Sequence, residues 1–310
     1  MGNQTKMTKF ILLGLSSDPP MQIFLFLVLV VFYVITLVAN MVIILVIRTD
    51  GHLHTPMFCF LSNLSFVTIC YSSAIVLKML VIFLDENKTI SADGCLAQIF
   101  FILLPAGTEI FILSAMAYDC YAAICDPLCY MEPMSKGIRA LLVSGAWVIG
   151  CINAQLNTDF ALRLNICGPN QISHFSCELP PLLHLSCTDT FTNQVVLLAS
   201  AVILGAISFL LTLISYIHII AAILRIHSVQ GRRKAFSTCS SHLIVVGLWY
   251  LTGSFQYTKP SSDSSVALDE MFSVQYNILT PVLNPIMYSL KKKEVKRALG
   301  KILGTWKFLT

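Results

Sequence analysis

Long apolar segments alternate with short polar segments along the whole chain. The first apolar segment runs from residue 23 to residue 47 and contains no charged residue. Six further segments follow, at residues 56–84, 98–117, 138–156, 195–224, 236–257 and 272–290. A helix needs about 20 apolar residues to cross the hydrocarbon core of a bilayer, whereas membrane β-barrels show short strands of alternating polarity. The pattern therefore predicts an all-α membrane protein, a bundle of seven transmembrane helices.

The composition agrees with this prediction and excludes most other classes of protein. Of the 310 residues, 56% are hydrophobic and 12% are charged, whereas soluble domains carry about 25% charged residues. Three motifs typical of enzymes, HExxH, a Walker phosphate loop and GxSxG, do not occur in the sequence, so we expect no catalytic activity. His174 and His184 lie near Cys177 and Cys187, but the cysteine spacing is not that of a zinc site, and we expect no metal there.

Lysine and arginine are distributed unequally between the two sides of the bundle. With the N-terminus outside, 14 of the 20 basic residues lie on the inner side and five on the outer side. Because positively charged loops stay in the cytoplasm, residues 1–22 are predicted to be extracellular and residues 291–310 cytoplasmic. The basic inner face favours anionic lipid and an intracellular protein partner rather than nucleic acid. Glycosylation sequons begin at Asn3 and Asn87, both on the predicted outer side.

The cytoplasmic tail has an amphipathic pattern of its own. Apolar residues recur there at helical spacing, between six basic side chains. They are Val295, Ala298, Leu299, Ile302 and Leu303. This pattern predicts a short helix that lies on the inner leaflet after the seventh span.

Four of the 11 cysteines fall on the predicted outer side, where the environment is oxidising. They are Cys95, Cys167, Cys177 and Cys187. An even number in this compartment predicts two disulfides, and the spacing leaves three pairings open. We interpret the long second outer loop as a lid that these bridges hold over the outer mouth of the bundle.

Five local motifs occur in a fixed order from the second span to the seventh. They are LHTPMF (53–58), MAYDCYAAICDPLCY (116–130), SY (215–216), KAFSTCSSHL (234–243) and PVLNPIMYSL (281–290). Together they resemble the olfactory receptors, a branch of the rhodopsin-like G-protein-coupled receptors, over nearly the whole chain. The resemblance implies a multi-pass plasma membrane receptor for small odorants. It also implies that a stimulatory olfactory G protein is activated and that cyclic AMP rises.

The resemblance also implies roles for particular residues. It pairs Cys95 with Cys177 and Cys167 with Cys187, the alternative being Cys95 with Cys187. It assigns the activation switch to Asp119, Cys120, Tyr121, Tyr216, His242, Asn284, Pro285 and Tyr288. The sequence departs from the family at Cys120, where the family signature MAYDRYVAIC has arginine. A thiol lacks the planar charged donor group of arginine, so we expect weakened G-protein coupling.

Helical spacing and the resemblance together predict the residues near an odorant cavity. They are Leu103, Ala106, Gly107, Ile110, Ser200, Leu204, Tyr250, Gly253, Ser254, Tyr257, Ser273, Tyr276 and Asn277. The alternative is simple helix packing, since small residues such as Gly107 also permit close approach of two helices. No aspartate lies on this face, so a cationic amine ligand is disfavoured.

Glu109 is the only acid deep within a predicted span, and a carboxylate there is a candidate functional group because its burial is costly. In the olfactory receptors that the chain resembles, the matching acid can share a cation with an aspartate on span two, but Thr68 occupies that second position here. The sequence therefore allows two interpretations: a sodium site at Glu109 and Thr68, or a protonated or hydrogen-bonded Glu109. For the chain as a whole, the alternative to an odorant receptor is a non-signalling membrane binding protein or transporter that derives from the receptor fold.

Overall fold

The structure is a computed structural model in which helices dominate. It describes residues 9–14, 18–85, 88–126, 134–166, 170–172 and 174–258, with residues 281, 284, 285, 295, 297 and 300. The helices are α1 (Pro19–Thr49), α2 (Pro56–Leu84), α3 (Ala92–Cys125), α4 (Lys136–Ala161), α5 (Leu179–Leu183), α6 (Phe191–Arg225) and α7 (Val229–Thr258). A single 3₁₀ turn, Gly51–Leu53, connects α1 to α2.

Five of the described helices are long and apolar enough to cross a membrane, namely α1, α2, α3, α4 and α6. Helix α7, which includes the predicted sixth span 236–257, contains a shorter apolar stretch, His242–Leu251. The helices are longer than the apolar segments seen in the sequence: α3 starts six residues before the predicted span 98–117 and ends eight residues after it. Polar residues at helix ends can extend the helix beyond the hydrocarbon core, because there they meet water and lipid headgroups. The predicted seventh span lies largely outside the described residues, although Pro281, Asn284 and Pro285 are helical.

Prolines and one serine mark where several helices begin. Pro19 and Pro20 open α1, and Pro56 opens α2. Proline suits the first turn because its fixed φ is helical and its missing N–H would have no partner there. At the start of α3, the hydroxyl of Ser91 accepts a hydrogen bond from the N–H of Gly94 at 3.0 Å, which caps the helix.

Helix α3 lies at the centre of the bundle. It contacts α2, α4, α6 and α7, and more than half of its most apolar stretch is buried. Helix α6 instead exposes most of its apolar side chains, as expected for a helix that faces lipid. The polar side chains of α3 are therefore placed to hold the neighbouring helices.

A small sheet at the predicted outer face adds to the helical fold. Strand β1 (Lys9–Leu12) lies between β2 (Thr89–Ser91), which is antiparallel to it, and β3 (Gln171–Ile172), which is parallel. Phe10 and Leu12 of β1 are buried. The sequence predicts this segment only as part of an extracellular N-terminus. Four residues with two buried side chains give too weak a pattern to predict a strand whose partners are distant in the sequence.

Candidate functional site

A disulfide and a glutamine attach the second outer loop to the outer end of α3. Cys95 is bonded to Cys177, with Cα atoms 5.3 Å apart, which is the pairing that the resemblance implied. Gln98 accepts a hydrogen bond from the backbone N–H of Cys177 at 3.0 Å and donates one to the carbonyl of Ala74 at 3.0 Å. The loop therefore forms a lid that is fixed to both α2 and α3.

The other predicted modification sites fall wholly or partly outside the described residues. Cys187 is disulfide-bonded, but Cys167, its predicted partner, lies outside them. Asn3 and Asn87 lie outside them as well. The pairing of Cys187 and both glycosylation sites stay predictions.

The ring of His174 makes its contacts within the lid. Its Nδ1 accepts a hydrogen bond from the N–H of Ser176 at 3.3 Å, and the ring stacks on Phe175 with centroids 4.2 Å apart. The Ser176 hydroxyl donates to the carboxylate of Glu178 at 2.9 Å. Across the described ranges, no three His, Cys, Asp or Glu side chains are grouped so that they could hold a metal ion.

Three of the α3 residues predicted to face a cavity lie along one stretch below the lid. Leu103 packs against the apolar group that contains Leu179 of the lid helix α5, and Ala106 packs against the apolar group that contains Phe175. Ile110, further along α3, is buried. Leu103 and Ala106 therefore pack against groups that include lid residues, at the outer end of the predicted ligand face.

Gly107 lies on a close helix contact. A Cβ added to Gly107 would be 3.1 Å from the Cα of Gly150 in α4, and 3.6 Å from the side-chain nitrogen of Asn153. This arrangement favours the packing interpretation of Gly107 over ligand contact, because the backbone of α4 already occupies the space beside it.

Hydroxyl groups join the middle of α3, α6 and α7. Tyr250 of α7 donates a hydrogen bond to the hydroxyl of Ser208 in α6 at 2.9 Å. Ser114 of α3 contacts the carbonyl of Ser208 at 3.2 Å and the hydroxyl of Thr212 at 3.3 Å. Helical spacing predicts Tyr250 but not these three partners, although a small hydroxyl side chain within an apolar helix is a signal that points to them.

The remaining predicted ligand contacts are only partly described. Ser200 and Leu204 of α6 are partly buried. Gly253, Ser254 and Tyr257 belong to α7, but their side chains lie outside the described set. Ser273, Tyr276 and Asn277 lie outside the described residues altogether.

His242 links three helices near the predicted inner end of the bundle. Its Nε2 lies 3.0 Å from the carbonyl oxygen of Leu113 in α3, and its Nδ1 lies 2.5 Å from the hydroxyl of Tyr216 in α6. A carbonyl can only accept, so Nε2 carries the hydrogen, and in the neutral ring Nδ1 accepts from Tyr216. Two of the predicted switch residues are thus brought together, and α7 is held to both α3 and α6.

Cys120 lies within an apolar group of side chains, which we call the inner cluster. Its buried members are Ala117, Cys120, Tyr216, Ile219 and Cys239. Tyr121 packs against this cluster, with its ring 5.5 Å from that of His218. Asp119 is buried beside the cluster, at 2% exposed. A neutral thiol suits such surroundings, whereas an arginine would bring a charge into them.

Glu109 connects α3 to the described part of the predicted seventh span, residues 272–290. Its carboxylate accepts a hydrogen bond from the side-chain nitrogen of Asn284 at 2.9 Å, and both groups are buried. The Thr68 hydroxyl donates to the carbonyl of Leu64 within α2, at 2.9 Å. This favours the hydrogen-bonded interpretation of Glu109, while the sodium site stays a prediction. Pro285 is buried beside Asn284, and Tyr288 lies outside the described residues.

Comparisons with known proteins identify the family. The family model described as olfactory receptor matches residues 29–305. Human olfactory receptor 5A1 is 48% identical over 301 residues, which cover 97% of this chain and 96% of the relative. Human olfactory receptor 5I1 is 49% identical over 301 residues, with the same coverage of both chains. The resemblance seen in the motifs is thereby confirmed, and the chain belongs to the olfactory receptor family, the seven-helix G-protein-coupled receptors that are multi-pass proteins of the plasma membrane.

Proposed function

We propose that the chain binds small, largely apolar odorants within the outer half of its helix bundle. The ligand would contact the faces of α3, α6 and α7 that carry Leu103, Leu204 and Tyr250. Pockets between helices suit such molecules, because apolar walls supply affinity and a few polar groups supply orientation. The lid that Cys95 and Cys177 hold in place would shield the bound odorant from water.

We further propose that odorant binding changes the inner end of the bundle through α7. The observation that carries this proposal is the pair of polar contacts on α7, at Tyr250 and at His242. These residues are eight positions apart, or about two helical turns. Both contacts join α7 to α6, so a ligand that moves Tyr250 also biases the contacts of His242. A ligand can shift such an equilibrium by as much as its affinity for the two arrangements differs.

The proposed intracellular partner is a heterotrimeric G protein of the stimulatory olfactory type, whose activation raises cyclic AMP. The excess of basic residues on the predicted inner side supports a partner there, and the amphipathic pattern after residue 290 supports contact with anionic lipid. Coupling would be weak, since Cys120 contributes a neutral thiol where the family signature has arginine.

One observation favours a second candidate function, that of a non-signalling odorant-binding membrane protein. Cys120 packs into the apolar inner cluster with Tyr216 and Cys239. Such a site gives a G protein no charged group at this position. The chain would then bind odorants without producing a cyclic AMP signal.

A panel of volatile compounds tested on surface-confirmed receptor separates the two candidates. Binding is measured as an increase in the melting temperature of the purified chain, and signalling as cyclic AMP in cells. A receptor gives both responses for the same compound. A binding protein gives only the first, and the Cys120→Arg variant, tested beside it, then shows whether that residue alone prevents coupling. A panel that neither stabilises the chain nor raises cyclic AMP would contradict both candidates.

A further inference from the structure

A buried amide group on α4 carries an inference that rests on the proposed function and makes it more specific. Asn157 lies near the outer end of α4 and is 1% exposed. Its Nδ2 donates to the carbonyl oxygen of Asn153 at 2.9 Å, and it lies 3.2 Å from Asn153 Oδ1 and 3.4 Å from the hydroxyl of Ser200 in α6. The amide thus bridges α4 and α6, at one of the residues predicted to face the odorant cavity.

The orientation of this amide is fixed by its partners. The carbonyl of Asn153 can only accept a hydrogen bond, so the nitrogen of Asn157 must face it. Ser200 in turn donates its hydroxyl to the carbonyl of Leu197 at 3.0 Å, so it meets Asn157 as an acceptor. Asn153 and Ser200 are therefore both joined to Asn157 through its amide nitrogen, and not through its amide oxygen.

The oxygen of the same amide has no hydrogen-bond partner among the described residues. Within the part of the chain that the structure describes, no donor lies within hydrogen-bonding distance of Asn157 Oδ1, and the atom is shielded from solvent. Buried acceptors are almost always paired, and an unpaired one is costly in an apolar environment. A donor that enters from outside the protein would pair this atom and remove that cost.

The position of Asn157 brings that acceptor to the proposed cavity. Asn153 lies against Gly107 of α3, and Asn157 is one helical turn further toward the lid. Leu103 of α3 packs against the apolar group that includes Ala161, which lies one helical turn beyond Asn157 on α4. Asn157 thus contacts Ser200 and lies one turn from the group that Leu103 joins, and both Ser200 and Leu103 belong to the predicted ligand face.

We infer that Asn157 is a specificity-determining residue whose Oδ1 accepts a hydrogen bond from a neutral hydroxyl-bearing odorant. The ligand class is an aliphatic or cyclic alcohol with an apolar skeleton. Donor-free odorants such as ethers, ketones and esters leave the acceptor unpaired and bind more weakly. A hydroxyl is favoured over an ammonium group, because no carboxylate lies on the predicted ligand face.

The test compares alcohols with their own methyl ethers, which keep the skeleton and remove only the donor. The probes are 1-octanol with octyl methyl ether, and menthol with menthyl methyl ether. The readout is the concentration that gives half of the maximal increase in melting temperature of the purified full chain, so it does not depend on coupling. We expect at least one alcohol to act at a concentration about tenfold lower than its ether, the factor typical of one hydrogen bond to a buried group.

Two variants assign that preference to a residue. Asn157→Leu removes the acceptor at similar volume and should abolish the preference. Thr158→Val, a neighbour on α4 whose hydroxyl also lacks a partner among the described residues, should retain it because it points to another side of the helix. Asn157→Ala provides a second test if the leucine variant does not fold, and the comparison of ligands on the unmodified chain needs no variant at all.

Five results would overturn the inference. The unmodified chain could bind alcohols and ethers equally well, or the preference could persist in Asn157→Leu and Asn157→Ala. The variants could also weaken alcohols and ethers alike, which would assign Asn157 a structural role or a bound water only. If 2-octanone or another donor-free odorant binds while no alcohol does, this inference fails and the proposed function stands. If no volatile compound binds at all, both fail together.

Discussion

The contact between Gly150 of α4 and the backbone of α3 gives a sharp prediction about stability. A Cβ added to Gly150 would lie 2.6 Å from the carbonyl oxygen of Leu104 and 3.0 Å from the backbone nitrogen of Thr108, with the Thr108 hydroxyl closer still. The hydroxyl can rotate away, but the two backbone atoms cannot. The Gly150→Ala variant therefore requires α3 and α4 to separate by several tenths of an ångström.

The size of the effect follows from two opposing terms. Alanine is a better helix former than glycine by about 0.5–1 kcal/mol. Overpacking a close contact costs about 1–3 kcal/mol, and the upper end applies here because backbone meets backbone. The net expectation for Gly150→Ala is a loss of about 2 kcal/mol of stability.

Two other glycines complete a graded series. Gly145, on the same helix, would bring its added Cβ within 4 Å of no other atom, so Gly145→Ala should be neutral or slightly stabilising. Gly107→Ala places its Cβ 3.1 Å from the Cα of Gly150 and should fall between the two. Melting temperatures of the purified variants, with surface density in cells, measure the order. A Gly150→Ala protein as stable as Gly145→Ala would refute the helix contact.

Three further predictions concern the interior of the bundle. Cys120→Arg should raise the maximal cyclic AMP response to an agonist at equal surface density, because it supplies a charged group to the G protein; an unchanged or lower maximum would contradict this. His242→Leu should raise basal cyclic AMP, because removing two buried hydrogen bonds worth about 1 kcal/mol each frees the inner end of α7. Basal activity equal to that of the unmodified chain would show that the contacts with Tyr216 and Leu113 persist in both the resting and the active receptor. If Glu109 holds sodium, the ion should raise the melting temperature of the unmodified chain. Glu109→Gln should abolish that effect, and Thr68→Asp should enlarge it. If the melting temperatures of the unmodified chain and both variants do not respond to sodium, Glu109 acts only as a hydrogen-bonding partner of Asn284.

Much of the fold could be predicted from the sequence because crossing a membrane sets a simple requirement of length and polarity. The apolar segment 23–47 meets it without any knowledge of its neighbours, and α1 extends over it from Pro19 to Thr49. The small outer sheet leaves no comparable pattern of length and polarity in the sequence. Strand β1 has four residues, and its partners β2 and β3 lie in two separate loops. Its existence depends on where the helices bring those loops.

The site shows the same division between local and distant information. Helical spacing was enough to select Tyr250 as a residue of the inward face of α7. Its partner Ser208 can be recognised in the sequence only as a small hydroxyl within an apolar helix, because the contact with Tyr250 depends on the rotation of α6 about its own axis. The same holds for His242 and the carbonyl of Leu113, since a backbone group leaves no trace in the sequence.

The departure at Cys120 illustrates what a motif can and cannot provide. The sequence alone indicates that the arginine of the family signature is missing at this position. Only the structure places the thiol in the inner cluster with Tyr216 and Cys239. The motif therefore shows that the arginine is missing, while the structure shows that the thiol in its place has apolar neighbours.

The proposed function requires that an odorant bound in the outer half of the bundle moves the inner end of α7. This movement is measured by the distance between spin labels at Val229→Cys and Lys136→Cys, on the exposed inner ends of α7 and α4. The exposed cysteines Cys125 and Cys151 are first replaced by serine, and distances are recorded with and without an agonist from the odorant panel. We predict that the agonist shifts the distribution toward longer distances by several ångströms, and that Tyr250→Phe reduces the shift. A distribution that stays the same when a bound odorant saturates the receptor would contradict the proposed movement of α7.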